Sequence, residues 1–313
     1  MGKKFSGASQ IMSRFRGWIQ AGAALLTNLH LPNFLKGKLY QGAGKTVCVP
    51  GLNCYSCPAA SGACPIGAFQ AVVGSSKFSF SYYITGFLIL LGVLLGRFIC
   101  GFLCPFGWFQ ELLHKIPTKK FSTKKLKPLR YLKYAVLLVM VFLLPAFLVN
   151  DVGMGDPFFC KYLCPQGVME GAIPLSLANS GIRSALGSLF TWKFGILLAV
   201  IVLSVIFYRP FCKWLCPLGA FYALFNRVSL FQIKVDKSKC VSCGKCAKAC
   251  KMDVDVTKTP NHTECIRCGM CIRTCPTGAV RFRYGFGDGK DKTKAAKKPQ
   301  KIINNNNKEK QNR

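Results

Sequence analysis

Four times the chain repeats Cys-Pro-x-Gly followed by a bulky, mostly apolar stretch. The copies read CPIGAFQAVV from Cys64, CPFGWFQELL from Cys104, CPQGVMEGAI from Cys164 and CPLGAFYALF from Cys216. In three copies a second cysteine stands four residues earlier, at Cys100, Cys160 and Cys212; the first copy has Cys57 seven residues earlier instead. Cysteine pairs closed by proline and set beside apolar runs point to redox centres held at a membrane. The composition agrees: 51% of residues are hydrophobic, yet 43 Lys and Arg face 11 Asp and Glu, a net charge of +32. A soluble domain seldom combines the two, whereas a membrane protein with basic faces does. A nucleic-acid binder also carries basic excess, but here the charge lies beside apolar runs and in the tail, so no nucleic-acid partner is expected.

The apolar runs set the expected architecture: an α-helical integral membrane protein with about four transmembrane helices. A C-terminal α+β ferredoxin domain of the bacterial two-cluster type follows them. A basic N-terminus (1–16) leads into a membrane domain (17–230) with spans near 17–35, 80–99, 131–150 and 192–208. The ferredoxin domain covers 231–284, and a Lys- and Asn-rich tail (285–313) is expected to be disordered. Residues 97–133 hold nine Lys and Arg, against four in 36–78 and two in 151–191. The positive-inside rule therefore places 97–133, the N-terminus and the ferredoxin domain in the cytoplasm of a multi-pass protein of the cell (inner) membrane. The loops 36–78 and 151–191 then face outward.

The densest chemical signal lies near the C-terminus. Cys240-x2-Cys243-x2-Cys246-x3-Cys250 is followed by Cys265-x2-Cys268-x2-Cys271-x3-Cys275-Pro276. In this doubled run three thiolates cap one face of a cubane and the fourth comes from the other motif. One [4Fe–4S] cluster is expected on Cys240, Cys243, Cys246 and Cys275, the other on Cys265, Cys268, Cys271 and Cys250. Lys251 stands where the second motif has Pro276.

Topology sorts the Cys-Pro copies into two pairs, which supply one or two further clusters. Cys100/Cys104 and Cys212/Cys216 both lie inside, each preceded by an arginine, Arg97 or Arg209, expected beside the cluster's negative charge. Outside, Cys57/Cys64 and Cys160/Cys164 pair as a duplication of the inner site. A rival scheme gives Cys48, Cys54, Cys57 and Cys64 a cluster of their own and leaves Cys160/Cys164 as a thiol or disulfide pair. Glu111 and Glu170 read as helix-surface charges, and His30 as a packing residue. No sequence for haem attachment or nucleotide binding is present, so neither cofactor is expected.

Cys-x3-Cys-Pro pairs at helix ends, with a two-cluster ferredoxin after the last span, resemble the membrane polyferredoxins. This is the group of NapH, the C-terminal half of NosR and the YccM-type proteins. The resemblance covers about residues 15–284. It implies an electron carrier passing electrons between a quinol, or another redox partner, and cytoplasmic [4Fe–4S] clusters. Its expected partners are membrane lipid, quinone and a redox protein such as an FMN-binding or terminal reductase subunit. It implies a subunit of an oxidoreductase system rather than a stand-alone enzyme. A maturation factor supplying electrons to a metalloenzyme, and a redox sensor, are the other functions open to such a chain. The stretch CVPGLNCYSCPAASGACPIG departs from a minimal two-pair pattern.

Overall fold

The computed structural model describes residues 2–75, 82–151 and 154–285, the side chains of 2–6 and 125 excepted. Most of the tail expected to be disordered, and the start of the span expected from 80, lie outside the described residues.

The repeated signature has a local structural reason. Cys64, Cys104 and Cys216 each cap a helix from an extended backbone, with ψ of 125°, 115° and 111°, and proline follows in the first turn. There its missing N–H costs nothing and its fixed φ favours the helix. The helices so started are Pro65–Gly74, Pro105–Leu113 and Pro217–Phe225. Cys164 has the same extended backbone, with ψ of 112°, before the wider turns of Gly167–Ala172. Those π-type turns precede Pro174, as Leu137–Leu143 precede Pro145. Proline cannot donate to the carbonyl one turn back, and the widened turn absorbs the misfit.

Among the described residues, two helices are long and apolar enough to cross a membrane. They are Leu126–Phe147, with mean hydropathy 1.7, and Ser188–Ile206, with 2.3. Tyr82–Leu95 is a shorter apolar helix. It ends at Gly96, whose φ is +52°; a Cβ there would lie 2.7 Å from the Arg267 guanidinium, so both backbone and space demand glycine. The segment expected to span from 17 to 35 differs from that reading. Its helix, Arg16–Thr27, stops at Asn28 and gives way to turns and the short Asn33–Lys36 helix. Its 12 residues cover about 18 Å, well under the hydrocarbon core of about 30 Å. The polar Thr27, Asn28 and His30 end it by bonding elsewhere. Thr27 O accepts from Ser61 N, Asn28 Oδ1 from Asn53 Nδ2, and His30 N donates to Ala59 O while its ring stacks on Tyr40. The loop around 53–61 is thereby drawn toward the interior.

At the C-terminus β1 (Phe231–Val235) pairs antiparallel with β2 (Val280–Tyr284), Ile233 opposite Phe282, and this ribbon closes the cysteine-dense loops. The unit is docked against the helical part by buried charge. Glu264 pairs with Arg97 at 3.0 Å and Lys133 at 2.5 Å, all three almost wholly buried. Arg267 donates to Leu95 O, Asn226 O and Ser229 Oγ. Asp253 gathers Arg130, Lys213 and Thr123. The Gly2–Arg14 helix packs on Met270–Thr274 and β2.

Candidate metal centres

In the C-terminal unit the two motifs fold alike. Ser242 and Arg267, each just before its motif's second cysteine, have φ of 51° and 52°; Gly244 and Gly269, just after it, have 68° and 76°. Two left-handed residues flanking the second cysteine bend each loop back on itself in the same way. The fourth cysteines are oriented alike: Cys250 Sγ accepts from Val254 N at 3.4 Å and Cys275 Sγ from Ala279 N at 3.3 Å. Cys240, Cys243, Cys246 and Cys275 line one cavity. In the other set, burial and then the neighbouring Cys268 and Cys250 push the Cys265 thiol up to about 12, and Cys271 is raised by burial and by Cys265, Cys268 and Cys250. Cys271 also feels Cys246, so the two sets adjoin. The Lys251 side chain lies over the Tyr208 ring, and its carbonyl accepts from Lys213.

The Cys100/Cys104 and Cys212/Cys216 copies meet in the interior. Burial, then Cys212, Cys100 and Cys104, push the Cys216 thiol well up; burial, then Cys212 and Cys100, push Cys104 up to about 12. The two arginines cross between the copies. Arg97 donates to Cys212 O at 3.3 Å and Arg209 to Cys100 O at 2.5 Å. Each guanidinium runs past the glycine of the other copy, Arg97 beside Gly219 and Arg209 beside Gly107. A Cβ on Gly107 would lie 3.0 Å from the Arg209 guanidinium, a tight contact, whereas one on Gly219 would meet Arg97 at an ordinary 3.5 Å. Arg209 is neutralised by Glu111, which lies 2.9 Å away and also accepts from Arg16 and Tyr208. Burial would push this carboxyl up, but Arg209, Arg16 and the Tyr208 hydroxyl hold it at about 2. Glu111 is therefore an internal counter-charge and not the surface residue expected from base rates.

A second four-cysteine set forms around Cys64, Cys160 and Cys164, and the structure brings Cys54 to it. Burial, then Cys164, Cys64 and Cys54, raise Cys160. Burial, then Cys164 and Glu170, raise Cys54. Cys57 points elsewhere: its thiol lies 3.6 Å from Asn28 Oδ1, its carbonyl accepts from Lys45, and it packs with Ala59 and Ala60. Cys48, buried, approaches Cys64 and Tyr222. Glu170 is turned inward, accepting from Cys54 N at 3.1 Å.

The two sets share one detail that the sequence reading missed. Gln70, six residues after Cys64, donates from Nε2 to Cys160 Sγ at 3.2 Å and to Ile66 O at 3.3 Å. Gln110, six residues after Cys104, donates to Cys212 Sγ at 3.2 Å and to Phe106 O at 3.3 Å. The signal was available in the shared FQ of CPIGAFQ and CPFGWFQ. Lys193, also missed, donates to Cys160 O at 3.0 Å, as Arg97 does to Cys212 O.

The sets lie close to one another. Tyr222, fully buried, lies within electrostatic reach of Cys100, Cys104, Cys64 and Cys48, and its hydroxyl donates to Pro50 O at 3.1 Å. A Cβ on Gly51 would lie 2.8 Å from Cys104 Cα. On the opposite flank Gly101 lies directly against Ile266 O, between Cys265 and Cys268. Buried thiols that raise one another's pKa do not ionise together unless a cation joins them, and iron supplies that charge. Among the described residues no three of these side chains close on a single point as for one metal ion, and Cys240, Cys243, Cys246 and Cys275 line a cavity instead.

Comparison with known proteins gives the same chemistry. A family model described as a 4Fe-4S binding domain matches residues 62–82, 79–124, 133–173 and 189–238, one match for each Cys-Pro copy. A second model with that description matches 233–254 and 259–281. An uncharacterized protein of Methanocaldococcus jannaschii is 32% identical over 209 residues, 64% of this chain and 77% of that protein. The protein YccM of Escherichia coli is 28% identical over 54% of this chain and 45% of its own length. The methylamine utilization ferredoxin-type protein MauN of Paracoccus denitrificans is 27% identical over 59% of this chain and 56% of its own. No solved structure matches the chain.

Proposed function

The chain belongs to the 4Fe-4S binding domain family, and from that premise we propose that it is a membrane electron carrier holding four [4Fe–4S] clusters in a row. The first two take Cys240, Cys243, Cys246 and Cys275, and Cys265, Cys268, Cys271 and Cys250. The third takes Cys100, Cys104, Cys212 and Cys216. The fourth takes Cys64, Cys160 and Cys164 with Cys54, in place of the Cys57 expected from the repeat. The observation that carries this reading is the equivalence of Gln70 on Cys160 and Gln110 on Cys212, which makes the last two sites copies of one design.

A membrane location is supported by Ser188–Ile206, whose most apolar window has a mean hydropathy of 2.3 and is only 17% buried within the protein. An apolar and uncovered helix of this kind is suited to lipid. The nine basic residues of 97–133 favour a cytoplasmic ferredoxin unit in the inner membrane. Electrons pass between a quinol, or a partner redox protein, and the ferredoxin clusters.

Iron and sulfide quantitation with EPR on anaerobically purified protein tests the reading. About 16 irons are expected from four cubanes. About eight would restrict the clusters to the C-terminal unit and overturn it. Reduction of the clusters by a short-chain quinol tests the donor.

A further inference from the structure

A cavity of about 520 Å³ opens where the Arg16–Thr27 helix, the Pro105–Leu113 helix and the second ferredoxin motif meet. Arg16, Trp18, Gln20, Trp108, Glu111 and Cys268 are among the residues that line it. We propose that this cavity binds the headgroup of a quinone. The proposal rests on the quinol-linked reading above and gives it a place.

Three observations carry it. Gln20 is 2% exposed, yet its Nε2 has no hydrogen-bond partner among the described residues. A buried donor left unpaired is unfavourable, so a ligand that brings an acceptor oxygen into the cavity is favoured. Glu111, on the same wall, presents a carboxylate held by Arg16 and Arg209. A quinone carbonyl answers the amide donor, and the hydroxyl of the reduced form answers the carboxylate. Trp18 and Trp108 give the cavity aromatic faces suited to a planar ring. Trp18 is 78% exposed at the outer edge, as at a lipid–water boundary, where a membrane-soluble molecule enters.

The position also suits electron exchange. Cys268, a ligand of the proposed second ferredoxin cluster, forms part of the wall. On the other side Arg16 Nε donates to Gly101 O at 2.8 Å, one residue beyond Cys100 of the inner set. The volume lies within the range of small-molecule sites, about 300–1,000 Å³. An acidic carrier protein would find Arg14, Lys115 and Arg273 among the lining residues but could not reach Gln20, which is 2% exposed.

The test uses the full chain with its clusters, in detergent under anaerobic conditions, titrated with the naphthoquinone menadione while tryptophan fluorescence is followed. Saturable quenching is expected. Gln20→Leu is expected to weaken binding about tenfold, and Trp18→Leu to remove a large part of the saturable amplitude, both at unchanged iron content. Linear, non-saturating quenching, or the same binding curve in both variants, overturns the proposal. Reduction by menadiol followed by EPR separates the two readings. Reduction without saturable binding at this cavity refutes the site and leaves the quinol-linked role. Saturable, Gln20-dependent binding without reduction supports the site and refutes that role.

Discussion

Gln70 and Gln110 occupy the same place in two copies of the repeat, and each donates to a sulfur belonging to a different copy. An N–H aimed at a ligand sulfur stabilises the more negative, reduced cluster and so raises its potential. Gln110→Leu should therefore lower the potential of the inner cluster by about 40 mV, the equivalent of about 1 kcal/mol for one electron. An EPR-monitored redox titration reads this, with iron content unchanged. Gln70→Leu should do the same to the outer cluster alone. Cys54 and Cys57 test residue placement in another way. Their spacing to Cys64 could not rank them, because the loop's course is set by distant residues. Asn28 stands by the Cys57 thiol, while Glu170 holds the Cys54 amide. Cys54→Ser should cost about four irons, one cubane, and Cys57→Ser should cost none. The reverse result would restore the pairing read from sequence.

At the level of elements, the apolar runs and the doubled cysteine motifs were legible because they are local patterns. The ends of the runs were less so. Arg16–Thr27 stops early because Thr27, Asn28 and His30 find partners in a loop far along the chain, and hydropathy carries no sign of such contacts. Docking of the ferredoxin unit was equally hidden. Arg97 was read as a cluster neighbour; it donates to Cys212 O, and it is also one leg of a buried triad with Glu264 and Lys133. Burial pushes the Glu264 carboxyl up, and Arg97 and Lys133 overcome this to hold it at about 2. Removing one member of such a group leaves buried charge unpaired, at a cost of about 3–5 kcal/mol. Glu264→Leu should therefore loosen the ferredoxin unit from the helices. Faster hydrogen exchange across 231–284 than in the wild-type protein checks this, and unchanged exchange would show that Arg267 and Asp253 suffice for docking.

For the whole molecule, the contacts order the four sites. The first ferredoxin set adjoins the second through Cys246 and Cys271, the second lies on the inner set through Ile266 and Gly101, and Tyr222 lies within electrostatic reach of both the inner and outer sets. A bilayer core of about 30 Å is wide for a single electron transfer, and in the proposed arrangement two sites within it would divide the distance. The Arg16–Thr27 helix runs from Glu111, beside the inner set, to Ser61 near the outer loop. At 1.5 Å per residue it covers about 18 Å, which sets the separation of those two contacts. Every site then has a neighbour, and loss of the inner one should break the row while leaving its ends intact. In sealed vesicles carrying the Cys216→Ser variant, a membrane-impermeant reductant on the outer side should no longer reduce the ferredoxin clusters across the bilayer. Their EPR signals should still appear when reductant reaches the ferredoxin side. Trans-bilayer reduction at the wild-type rate in this variant would mean that electrons bypass the inner site, and that the row ends at the ferredoxin unit.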